Sequence, residues 1–143
     1  MHGIPTWRGG GPDATARIVA TDLGANFKQS FVVDNRAGAG GIIGTKHVAA
    51  APPDGHTLLM GHVATNAIVP ALVKPRPYDP VGDFVAVGIV GTAPDLLVVS
   101  AKSGINSVAD LVAKARSTSV SYGSPGAGLP PQIAGLALAK GAG

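Results

Sequence analysis

The chain has 143 residues and a formal charge of +3; it is 45% hydrophobic but only 4% aromatic, with 21 glycines, 12 prolines and no cysteine. Apolar content at this level with low net charge excludes a disordered chain, and the missing cysteine excludes disulfides and thiolate metal sites. The eleven basic residues are scattered singly from Arg8 to Lys140, so no patch for nucleic acid is expected, and no apolar run reaches the roughly 18 residues that a membrane span needs.

The first residues, Met1 to Thr6, read as the stub of a strand, with no basic segment followed by an apolar one as in a signal peptide. Three glycines, Gly9 to Gly11, then precede Pro12 and Asp13. Asp13 reads as the N-cap of a helix whose apolar face is Ala14, Ile18, Val19 and Leu23 and which Gly24 closes. SFVVDN (30–35) is expected as a short buried strand. The glycine-rich RAGAGG that follows reads as a loop, and Ile42 to Ala51 as a helix stopped by Pro52 and Pro53. HTLLMG (56–61) is a second expected strand. ATNAIVPAL (64–72) reads as a short helix with Thr65 or Asn66 near its cap, and KPRPYDPVGD is too rich in proline for regular structure.

FVAVGIVG (84–91) and DLLVVS (95–100) read as two strands separated by Thr92 to Pro94. Ser107 to Asp110 has the Ser-x-x-Asp form of a capping box, opening a helix to about Arg116. SVSYGS (119–124) is a further strand, and prolines open a last helix after Leu129. Strands alternating with helices predict an α/β fold of βαβ units with a mainly parallel sheet, its strands buried on both faces.

Strand, glycine-rich turn and helix recur at Gly9–Asp13, at Gly38–Gly44 and at Gly123–Gly128. The start of a helix exposes backbone N–H groups without internal partners, and a glycine turn lets an anion approach them. The first and third of these turns are therefore candidate cradles for a carboxylate or phosphate; the plainer reading is that their glycines serve turn geometry and packing. GAGGIIG has the spacing G-x-G-x-x-x-G, not the dinucleotide G-x-G-x-x-G, and Arg36 sits in its turn. A nucleotide-dependent oxidoreductase built on it is the alternative to a binding protein, and a remnant that does not fold is a third. His47, His56 and His62 match no metal-ligand spacing. Ser124 in YGSPG comes nearest to a nucleophile elbow but lacks its first glycine, so no catalytic residue is assigned.

Four blocks occur in order: IPTWRGGGPDATARIVA, VVDNRAGAGGIIGTKHVAAAPPDGHTLLMG, YDPVGDFVAVGIVGTAPDLLVV and VSYGSPGAG. As a set they resemble the periplasmic solute receptors of tripartite tricarboxylate transporters, the Bug family, over nearly the whole chain. The resemblance implies a type II periplasmic binding-protein fold in which two α/β lobes close on a small carboxylate, with residues 1–92 in the first lobe and 93–143 in the second, incomplete. It implies a receptor rather than an enzyme, delivering its ligand to a membrane permease, without cofactor or membrane insertion. On that pattern the ligand contacts fall to Gly9, Gly10, Gly11 and Asp13, to Ala64, Thr65 and Asn66, and to Ser124, Gly126, Ala127 and Gly128. Asp13 is expected to fix the turn while backbone amides face the ligand, and the Thr65 and Ser124 hydroxyls are possible donors. Trp7 and Arg8 depart from the family pattern, which has its aromatic at the place of Thr6, and they join the candidates. The resemblance also implies a fragment of a longer receptor, periplasmic in the family; as given, with no leader, it would stay in the cytoplasm.

Overall fold

The structure, a computed structural model, describes residues 8–124 and 128–142. The expected strand stub at Met1 to Thr6, and the candidates Trp7, Gly126 and Ala127, lie outside the described residues. Among the described residues five α-helices follow one another: α1 (Gly11–Phe27), α2 (Ile42–Ala49), α3 (Val69–Leu72), α4 (Val108–Ser117) and α5 (Pro130–Ala142). A 3-10 turn, Ala39–Gly41, leads into α2, and a π-helical turn, Ala64–Ile68, leads into α3. By contact the chain divides into two compact units, Met1–Val87 and Gly88–Gly143.

Helix α1 begins and ends differently from the expectation. Gly10 is its N-cap, so Pro12 and Asp13 lie in the first turn, with Asp13 as the third helical residue. The helix runs through Gly24 and stops at Lys28, which takes the left-handed conformation (φ 53°) that a terminating glycine would have taken. Its buried side is Asp13, Ala16 and Ala20, whereas Ile18 is 65% exposed. Small side chains on that face let the neighbouring chain approach closely: Met60 packs on Ala16, flanked by Val19 and Val33. Tyr78, Ala64 and Val69 complete the buried apolar set of the first unit.

The helices and intervening runs come in the expected order, but the parallel sheet does not form among the described residues. Segments 30–35, 56–61, 84–91, 95–100 and 119–124 carry no ladder, and among the described residues a bridge at Asn35 is the only pairing mark. A strand takes its hydrogen bonds from another segment, so an apolar run alone cannot make one. Burial on both faces likewise needs covering helices, and Val85 and Ile89 are instead about nine-tenths exposed, at 91% and 89%.

In the second unit the capping box is realised. Ser107 Oγ accepts from Asp110 N–H (3.1 Å), and the Asp110 carboxylate accepts from Asn106 N–H (3.0 Å). Those bonds hold the Asp110 carboxyl below its ordinary pKa, the Asn106 amide most of all. At the far end, the Arg116 guanidinium donates twice to the Ala142 carbonyl, at 3.0 and 2.7 Å, tying α4 to the end of α5. Tyr122 lies against Gly135, where a Cβ would come within 2.6 Å of the ring. Replacing Ser107 with alanine removes one cap acceptor and should lower stability by about 1 kcal/mol; a denaturant titration that finds no loss would contradict the cap's role.

Candidate functional site

The first glycine turn is organised by Asp13. Its side chain is buried and accepts from the Gly9 N–H through Oδ2 at 2.6 Å. Its Oδ1 accepts from Asn35 Nδ2 (3.1 Å) and pairs with Arg17 Nη2 (3.0 Å), while Arg17 also donates to Asn35 Oδ1 (3.1 Å). The three side chains therefore close a ring. The Gly9 amide, helped by Arg17 and Asn35 and opposed by desolvation, holds the Asp13 carboxyl below its ordinary pKa. Arg17 places a positive charge against it, which offsets the repulsion that a lone carboxylate would exert on an anion nearby.

With Gly9 N–H committed to Asp13, the turn's remaining donors are the amides of Gly10 and Gly11, which have no hydrogen-bond partner among the described residues. Pro12 contributes none. Gly9 has φ +87°, a conformation that disfavours any side chain, whereas Gly10 (φ −75°, ψ 167°) is held in a region open to all residues. Arg8 is exposed beside the turn.

The segment Gly61 to Asn66 sits one residue beyond Met60, whose contact with Ala16 brings it to the side of α1 one turn past Asp13. A Cβ on Gly61 would stand 2.7 Å from the Asn66 amide, so the missing side chain is what lets Asn66 fold back. Thr65 is fully buried; its hydroxyl accepts from His62 N–H (3.1 Å) and lies within reach of His62 O (3.0 Å) and Asn66 Oδ1 (2.9 Å). That hydroxyl is spent internally. Asn66 is exposed, with its Nδ2 unpaired among the described residues, and Ala64 is buried. Thr65 lies inside the π-helical turn and is not a helix cap.

His62 supports this segment. Its Nδ1 accepts from Ala64 N–H at 3.3 Å, which puts the proton of the neutral ring on Nε2, a buried atom without a partner among the described residues. Burial pushes the His62 pKa down.

The turn before α5 repeats the design of the first. Gly128 has φ +74°, and its N–H donates to Gln132 Oε1 at 2.6 Å. Gln132 is the third residue of α5, as Asp13 is of α1, and each reaches back four residues to a glycine with positive φ. Prolines at the first two positions of α5 remove two donors there. Ser124 is exposed. Sequence reasoning passed over Gln132 and Asn35; the signal for Gln132 was an acceptor four residues after the turn glycine.

The third glycine loop is filled by packing. A Cβ on Gly38 (φ +130°) would meet Ile43 Cδ1 at 2.6 Å, Gly41 is buried, and Thr45 Oγ1 donates to the Gly41 carbonyl at 2.9 Å. Among the described residues no three His, Asp or Glu side chains gather as a metal site, and no helix is long and apolar enough to cross a membrane.

A folded-state pKa below the unfolded one, as at His62 and Asp13, means that stability is full above the unfolded pKa and lost as pH falls. The melting temperature should therefore drop first as pH falls below about 6.5, through His62, and again below about 4, through Asp13. His62→Asn keeps an acceptor for Ala64 N–H but cannot titrate, so its melting curve should be flatter between pH 7 and 5. Equal slopes for the two proteins in that range would rule His62 out as the cause.

Sequence comparison matches residues 15–143 to the Tripartite tricarboxylate transporter family receptor profile. A UPF0065 protein in the tcbD-tcbE intergenic region of Pseudomonas sp. (strain P51) is 41% identical over 139 residues, covering 95% of this chain and 41% of that protein. Protein BugT of Bordetella pertussis is 38% identical over 122 residues, covering 83% and 37%. The chain thus spans about two-fifths of the length of the curated relatives it matches. Among solved structures, R. palustris Rpa4515 with adipate aligns at TM-score 0.81 and 35% identity over 90% of this chain and 44% of that one. A second, described as a periplasmic transporter, aligns at TM-score 0.54 and 42% identity over 55% and 27%. Profile and relatives agree, and the chain belongs to the tripartite tricarboxylate transporter receptor family.

Proposed function

We propose that this chain captures a small carboxylate in the periplasm for delivery to a membrane permease, as a binding protein and not an enzyme. The observation that carries the reading is the first turn. Two backbone N–H groups, of Gly10 and Gly11, stand at the start of a 17-residue helix beside a tethered and charge-paired Asp13. Helix starts favour anions through exposed amides and the macrodipole. Asn66 Nδ2 is a further donor, direct or through water; the Gly128 turn, taken by itself, shares the tethered glycine of the first but offers fewer amides, because Pro130 and Pro131 carry none. Residues 1–92 and 93–143 are assigned to the first and second lobes. A dicarboxylate is the favoured ligand, since the R. palustris relative carries adipate. The packed GAGGIIG loop gives no support to a nucleotide-dependent oxidoreductase.

Thermal melts of the chain alone and with adipate, succinate, citrate, glutamate, benzoate and NAD test this. A ligand at a hundredfold excess over its dissociation constant adds about 2.7 kcal/mol to the folded state, so one carboxylate should raise the transition by several degrees while NAD does not. Gly10→Leu suits the local backbone but fills the approach to the amides; it should melt cooperatively and lose the carboxylate shift. A shift with NAD alone, or an undiminished carboxylate shift in Gly10→Leu, would overturn the reading.

A further inference from the structure

We propose that Tyr78 is a positioning residue for the ligand segment: its hydroxyl fixes the π-helical turn that sets where Asn66 is presented. The proposal rests on the carboxylate-receptor reading and assigns a task to YDPVGDF, a block that the turn chemistry leaves unused.

In the turn Ala64–Ile68 the Val69 N–H donates to the Ala64 carbonyl, five residues back. In that register the next carbonyl, of Thr65, would be served by the amide of residue 70. That residue is Pro70, which has no N–H. The Thr65 carbonyl is thereby orphaned in a buried place, where an unpaired acceptor is costly. Tyr78 supplies the missing donor: its hydroxyl reaches the Thr65 carbonyl at 2.7 Å, and Tyr78 is 5% exposed. Single π turns inside helices recur at functional sites, and this one carries Thr65 and Asn66.

The rest of the block seats the tyrosine. The Asp79 N–H donates to Asp83 Oδ2 at 2.8 Å, and the Asp83 N–H returns to the Asp79 carbonyl at 3.0 Å. Asp79 Oδ1 also accepts from Val81 N–H at 3.1 Å. This closed turn brings Phe84 edge-on to Tyr78, with ring centroids 6.2 Å apart and planes at 89°, a favoured aromatic geometry. The two aromatics of the block are thus held as one unit whose polar tip is the Tyr78 hydroxyl.

The test compares adipate affinity and melting temperature in the unaltered chain, Tyr78→Phe, Phe84→Leu and Ser107→Ala, with the Asn66 side-chain amide followed by NMR. Loss of one hydrogen bond corresponds to roughly fivefold to tenfold in affinity. Tyr78→Phe should bind adipate weaker by about that factor and move the Asn66 resonance. Phe84→Leu, which keeps the hydroxyl but loosens its seat, should show a smaller change in the same direction. Ser107→Ala should lose stability without losing affinity, which separates positioning from general destabilisation. Unchanged adipate affinity in either folded aromatic variant overturns the proposal while leaving the receptor reading standing. Failure of the unaltered chain to bind any of the acids removes that reading, and this proposal with it.

Discussion

A carboxylate that takes the amide proton of a glycine four residues upstream is the constraint on which the first turn depends. Asp13 is bound at once to Gly9 N–H, Asn35 and Arg17. Each bond has a separate consequence. The Gly9 bond fixes a backbone that only glycine adopts readily; the Arg17 pair neutralises the carboxylate; the Asn35 contact ties the helix to the block that begins at Val32. An acidic residue at a proposed anion site looks misplaced until these partners are counted. Its charge is used up holding the turn, and the amides of Gly10 and Gly11 keep the helix's positive end available.

Two other segments meet the same problem of unpaired backbone by other means. Gln132 stands in for Asp13 at the Gly128 turn, accepting the glycine amide without adding charge. At the π-helical turn the deficit is a donor, the N–H that Pro70 lacks, and the phenol of Tyr78 supplies it to the Thr65 carbonyl. Buried polar groups are paired in folded proteins, and the residues that pair them here come from segments that the chain order separates by up to 22 positions. Such pairing joins the first block to the second, through Asp13 and Asn35, and sets the third against the π-helical turn, through Tyr78 and Thr65.

Much of the helical order was legible in the sequence, because its signals are local. The Ser-x-x-Asp box gave α4 its start, Pro52 and Pro53 lie just past the end of α2, and paired prolines open α5. The errors had local causes too. Asp13 reads as an N-cap by residue type, but a carboxylate at the third helical position can reach back past the cap. Gly24 reads as a terminator, yet Lys28 takes the left-handed place. Ile18 fits an apolar stripe, while the close approach of Met60 selects the alanines at 16 and 20. The sheet was expected from apolar runs such as 84–91, and composition alone cannot supply a pairing partner. At the candidate site, the first glycine turn was legible from spacing, and Gln132 stands at a local four-residue spacing from Gly128, whereas the work of Asn35 and Tyr78 depends on contacts across the chain that no spacing reveals.

The account's central claim is that backbone amides of the first turn hold a carboxylate. Following the amide resonances of the chain by NMR as adipate is added tests it most directly. The account predicts saturable shifts centred on Gly10 and Gly11, with Gly9 changing little because Asp13 already holds its proton. Adipate binding that leaves Gly10 and Gly11 unmoved, or shifts confined to Gly38–Gly44, would contradict it.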